Sequence, residues 1–166
     1  MDSVRYALER CRQLDHVIQS LPGILAPSSK QQSPLLLDWA VRDDELYRVV
    51  SKLFSDGHYA RAVEEGFKFL NNLIKDLAEV TPPKDGADLM RNVFSPKKPV
   101  LKLNACSTDS ELNEQSGYME IMAGCMTGIR NPRAHDHKWE DPQEVCLQLL
   151  NLANHLVERT RAAARA

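Results

Sequence analysis

The chain has 166 residues, of which 43% are hydrophobic and 27% charged, and its formal net charge is -2 at pH 7. That length suits one domain with an appendage, and the composition is that of a globular rather than a disordered protein. The near-neutral charge excludes a strongly basic nucleic-acid scaffold but allows a local basic patch.

In chain order, an amphipathic helix is predicted from about Asp2 to Leu21, where Val4, Leu8, Cys11, Leu14, Ile18 and Leu21 recur at three- and four-residue steps. Pro22 and Gly23 end it, and Ala26 to Pro34 reads as a linker. Residues 1–40 are thereby set apart from a helical domain over 41–166. Leu35 to Trp39 is an apolar plug of no definite structure. A second helix begins near Asp43, whose side chain can cap free N–H groups, and stops at Gly57. A third spans about His58 to Val80 on an apolar line of Val63, Phe67, Leu70, Ile74 and Leu77, with Pro82-Pro83 terminating it.

A shorter helix covers Gly86 to Phe94, and Ser95 to Ser107 reads as an extended loop, with a short strand as the lesser alternative. Thr108-Asp109-Ser110-Glu111 is a capping box. The helix it opens is expected to end at Arg130, because Pro132 biases Asn131 away from helical dihedrals. Asp141-Pro142-Gln143-Glu144 reads as the start of the last helix, with Asp141 at the cap, running to about Arg161. Nothing repeats at a solenoid period. The fold class is all-α, a bundle of about five to six helices.

The four cysteines, Cys11, Cys106, Cys125 and Cys146, form no Cys-x-x-Cys pair, so neither a zinc ribbon nor a redox motif is indicated. They read as small core residues in a reducing compartment. The N-terminus lacks the apolar run of a signal peptide and no stretch reaches the length of a membrane span. A cytoplasmic location is expected.

Two features carry chemical interest. Gly117, Gly124 and Gly128 share one face of the fifth helix, each costing about 1 kcal/mol relative to alanine. Either the bundle packs tightly there, or the face is kept for a subunit or a ligand. The second feature is the segment Arg130-Asn131-Pro132-Arg133-Ala134-His135. Arg130 is suited to gripping a phosphate with two N–H groups, and His135 to proton transfer near neutrality. Arg133, His137 and Lys138 make the loop basic and stand as substrate contacts, with Lys97, Lys98 and Lys102 as further positive charge. Trp139 reads as an anchor for the loop rather than a stacking platform. By spacing alone an Arg and a His five apart are weak evidence of a site.

The stretch Gly128 to His135, the acidic-capped helix after it, Leu89-Met90, Asn92 to Ser95, Pro99 to Leu101, Leu103-Asn104 and Gly117 to Met119 resemble the Ymh-type family of small prokaryotic proteins over roughly His58 to Arg161. That family in turn resembles the HEPN superfamily, whose signature is Arg, four to six residues, then His, with a polar residue often directly after the Arg. Arg130, Asn131 and His135 match it. The resemblance implies a helical bundle that dimerises with its motifs paired. It implies a metal-independent endoribonuclease with no cofactor, a toxin or effector of a toxin–antitoxin or antiviral system, acting on RNA and answering to an antitoxin or defence partner. The ribose 2'-hydroxyl would attack phosphorus, with Arg130, Asn131 and His135 as catalytic residues. The alternative is a non-catalytic module that binds a nucleotide or a protein. The two apolar lines of the last helix, Val145-Leu149-Leu152-Leu156 and Cys146-Leu150-Ala153-Val157, fit a dimer or deep burial equally well.

Overall fold

A computed structural model describes the chain over residues 36–166. The helix expected from Asp2 to Leu21, its Cys11 and the linker after it lie outside the described residues. A helical turn over 36–40 opens the described part. It buries Leu37 and Ala40, with Val41 just after it, and leaves Leu36 and Trp39 exposed.

Helix α1, Asp44–Ser55, starts where expected: the Asp43 side chain accepts the Leu46 N–H at 2.9 Å, and Leu46, Val50 and Phe54 point inward at four-residue steps. Helix α2, Tyr59–Ala78, buries residues on several sides, among them Ala62, Val63, Phe67, Leu70 and Ile74. It is the central rod, packed on α1 and on the last helix. Each such large aliphatic or aromatic side chain contributes roughly 1.5–3 kcal/mol by leaving water. Gly66 lets three helices close up: a Cβ there would stand 3.1 Å from Leu150 Cδ2 and 3.5 Å from Val50 Cγ1. The rod ends on Glu79 in the left-handed conformation (φ 49°), ahead of the two prolines.

Helix α3, Gly86–Val93, packs on α4, Asp109–Gly124. The capping box forms: Thr108 Oγ1 accepts the Glu111 N–H, and the Glu111 carboxylate accepts the Thr108 N–H. Between the two helices, β1 (Leu101–Lys102) pairs antiparallel with β2 (Ala164–Arg165) at the chain's far end, so the lesser strand alternative is the observed one. Buried Gln115 staples this connection to α4, donating to the carbonyls of Phe94 and Leu101 and accepting from Leu103 N–H. Helix α6, Gln143–Arg161, closes the bundle. Its buried Asn154 accepts the N–H groups of Arg42 and Asp43 at 2.9 Å, tying the start of α1 to the last helix.

The expected break at Arg130 does not occur. Helix α4 continues through a widened π turn, Cys125–Arg130, into α5, Asn131–His135. Asn131 is helical (φ -63°, ψ -43°), and its N–H reaches Met126 O, five residues back rather than four. In a regular helix the Pro132 ring would press on the carbonyl four residues earlier. The wide turn takes the backbone out of that register, so a proline-containing helix survives.

The glycine line on α4 and the π turn is not explained by close packing. At Gly117, Gly124 and Gly128 nothing stands within 4 Å of where a Cβ would be. Ile121, on the same face, is 46% exposed. Helix α6 lies alongside, joined by Tyr118 Oη to His155 Nε2 (2.7 Å) and by Arg159 to Glu114 (2.8 Å). Of its two apolar lines, Cys146, Leu150, Ala153 and Val157 are all buried, whereas on the other Leu156 is buried and Val145, Leu149 and Leu152 are half-buried.

Candidate functional site

The motif residues sit on one short helical rod, so helical geometry dictates which of them can act together. Arg130 and His135 are five residues apart, which places them about 140° apart around the axis and about 7.5 Å along it. Asn131 and His135 are four apart and share a face. Asn131 is therefore the link: its Oδ1 accepts from Arg130 Nη1 at 3.1 Å, and His135 stands one turn beyond it, exposed.

Arg130 and Asn131 line a cleft of about 360 Å³ with Met126, Asn71, Asp85, Gly86, Ala87 and Asp88. The opposite wall is the start of α3. Buried Asn71 builds it by accepting the Gly86 N–H (2.9 Å) and donating to Asp85 Oδ1 (2.8 Å), while Lys75 donates to Asp85 Oδ2. The Lys75 ammonium, then the Asn71 amide, and at longer range the Arg130 charge hold the Asp85 carboxyl below the usual carboxylate range. Arg130 is thus half-buried near a carboxylate that other groups already hold. Among the described residues its one hydrogen bond is the bond to Asn131, which leaves most of its five N–H donors for a ligand. An open groove of about 610 Å³ continues from this cleft past Asp85 and Asp88 to Lys84, Arg91 and Asn92.

Arg133, expected to contact substrate, is occupied otherwise. It makes a two-pronged ion pair with Asp141 (Nε to Oδ2 2.6 Å, Nη2 to Oδ1 2.8 Å), with both side chains about 95% buried. Its Nη1 donates to Ile129 O at 2.7 Å, satisfying a carbonyl at the π turn. The guanidinium also lies 5.4 Å from the Trp139 ring centre. Asp141 consequently does not cap α6. Pro142 is the cap residue there, with no side-chain cap bond. Arg133 and Asp141 lock the loop between α5 and α6, and Trp139 is part of the lock, donating from Nε1 to Asp141 Oδ1 at 3.2 Å.

His137 lines a different cavity, of about 500 Å³, with Gly57 to Arg61 and Trp139 to Asp141. Lys138 is exposed and lines none of these three openings. Within one chain the structure therefore joins Arg130 to Asn131 at the cleft, leaves His135 exposed one turn further on, and separates Arg133 and His137 from the cleft. Sequence reasoning missed Asn71, Asp85 and the start of α3, whose partners lie 14 and 15 residues apart and leave no periodic signal. Cys125 and Cys146 take no part: burial pushes their thiols up to about 11 and about 12, so they stay protonated at neutral pH. Among the described residues no group of three or more His, Cys, Asp or Glu is placed to hold a metal ion, and no helix is long and apolar enough to cross a membrane.

A family model described as "Protein of unknown function (Hypoth_ymh)" matches residues 41–160. No curated protein and no solved structure matches the chain.

Proposed function

We propose, from the premise that this chain belongs to the Ymh family, that it is a HEPN-type endoribonuclease that cleaves RNA without a metal ion, as a pair of chains. The observation that carries the reading is the arrangement of Arg130, Asn131 and His135: a guanidinium with free donors bonded to Asn131 at an open cleft, and an exposed imidazole one helical turn beyond that asparagine.

The chemistry follows from what each group can do. His135 takes the proton of a ribose 2'-hydroxyl, whose oxygen bonds to the adjacent phosphorus. The bond from phosphorus to the 5'-oxygen breaks, leaving a 2',3'-cyclic phosphate and a 5'-hydroxyl. Arg130 meets the charge that builds on the phosphoryl oxygens, and Asn131 holds the guanidinium on the imidazole's side. The leaving oxygen needs a proton at the same moment, which one imidazole cannot both take and give. His135 of a second copy supplies it. The uncovered glycine face with Ile121, beside the half-buried Val145, Leu149 and Leu152, supports such pairing. A toxin or effector role, with an antitoxin or defence partner, is the biological setting this activity suits.

The test is cleavage of a structured and an unstructured RNA in the presence of EDTA. The wild type is expected to cut, and His135→Ala to lose about 10²–10⁴ in rate. An intact RNA, or an alanine variant as fast as wild type, overturns the reading and leaves a binding module.

A further inference from the structure

The cavity on the other side of the Arg133–Asp141 lock is not used by the proposed reaction, although it lies directly beside the motif. It is enclosed by the turn into α2, Gly57 to Arg61, and by the loop from His137 to Asp141. Three of its features are chemically specific. Trp139 keeps 42% of its surface exposed although its neighbours hold it in place. Its orientation is fixed twice, by the Nε1 bond to Asp141 and by Arg133 over the ring. Trp139 lines the cavity and Arg133 does not, so the guanidinium over the ring stays out of it. His58 and His137 stand exposed at the walls, each offering a donor and an acceptor.

The charges argue against a simple anion site. Arg61 is already held by Glu64 and Glu65, both at 2.6 Å. The remaining carboxylates, Glu140 and Asp141, would repel a phosphate. What fits is a flat, uncharged ring with polar edges, lying on the pinned indole with its edge toward the imidazoles.

We infer that this cavity is a nucleobase pocket, in which Trp139 stacks one unpaired base of a single-stranded RNA held at the neighbouring motif. It rests on the nuclease reading only for the identity of the strand. Base–aromatic stacking is available to a splayed-out base and closed to one inside a duplex.

The experiment uses the full chain carrying Trp39→Phe, a replacement at a surface position that leaves Trp139 as the sole tryptophan. Adenosine 5'-monophosphate is expected to quench Trp139 emission saturably, and ribose 5-phosphate to compete about 5- to 150-fold more weakly, the contribution of one stacked base. A single-stranded oligoadenylate should quench and its duplex should not. Absent quenching, equal competition by ribose 5-phosphate, or equal quenching by duplex each overturns the pocket. The Trp39→Phe chain with His135 intact separates the two ideas: quenching that persists while that chain cuts no RNA leaves the pocket standing and removes the nuclease.

Discussion

Arg130 and Arg133 lie less than one helical turn apart, each near an aspartate, and the two regions they serve have opposite characters. At the α5–α6 loop, Arg133 and Asp141 consume each other in a buried two-pronged pair. At the start of α3, Asp85 is held by Lys75 and Asn71, so Arg130 feels its charge without surrendering its donors to it. An arginine spent on an internal carboxylate fixes the chain in place, whereas one whose charge is balanced from a distance remains able to grip. Composition and spacing do not distinguish the two residues; their partners do.

The comparison is broken most directly by truncating each arginine's region in turn. Arg130→Ala is expected to lower RNA cleavage by about 10²–10³, the loss typical of one charge-stabilising group, with the melting temperature moving by no more than about 2 °C. If the rate holds, Arg130 is not at the reacting phosphate. Asp141→Ala should act through stability instead, costing about 3–5 kcal/mol by stranding a buried guanidinium, seen as a loss of roughly 10 °C in a thermal melt. The double replacement Arg133→Met with Asp141→Leu should recover most of it, since an apolar pair leaves no orphaned charge.

The glycines sharpen the same contrast between sealed and open surface. Gly66→Val, driven into Leu150 and Val50, should cost about 1–3 kcal/mol. Gly124→Ala, with nothing near its Cβ position, should add up to about 1 kcal/mol to the stability of the single chain. A urea denaturation series reads both. A loss of stability in Gly124→Ala that appears only at higher protein concentration is the mark of a second copy on this face, and its absence removes the face from the pairing.

The smallest effect is the acid limit. The Asp85 carboxyl is lowered chiefly by Lys75; burial raises that of Asp43, but Arg161 and the Leu46 N–H together outweigh burial and bring it below the ordinary value. Both contributions are therefore complete above the unfolded-state value of about 3.9 and fade as pH falls through the lower folded values. The urea midpoint should be flat from pH 7 to about pH 5 and decline below about pH 4.

Much of the fold was legible because its signals are local. The cap at Asp43 and the capping box at Thr108 and Glu111 each involve groups three residues apart, and the buried face of α1 repeats every four. What sequence reading got wrong depends on distant partners. Asp141-Pro142 has the look of a helix cap, but Arg133, eight residues earlier, claims the carboxylate. Pro132 has the look of a stop, but the π turn before it removes the clash. The buried amides of Asn71, Gln115 and Asn154 are invisible to any pattern, because what matters is the loop each one ties down. Of the motif, Arg130 and Asn131 meet at the cleft and His135 stands exposed one turn on, whereas the assignment of Arg133 to substrate mistook a fastening for a contact.

The π turn amounts to one surplus residue wound into an otherwise ordinary helix. Deleting a single position within Cys125–Arg130 would return the spiral to its common pitch and bring the Pro132 ring against the carbonyl one turn before it. The rod would kink or stop at the proline, and Arg133 would lose its seat on Asp141. A lineage gaining or losing that one codon would acquire or forfeit the whole arrangement in one step, with every side chain of the motif still spelled out in its gene.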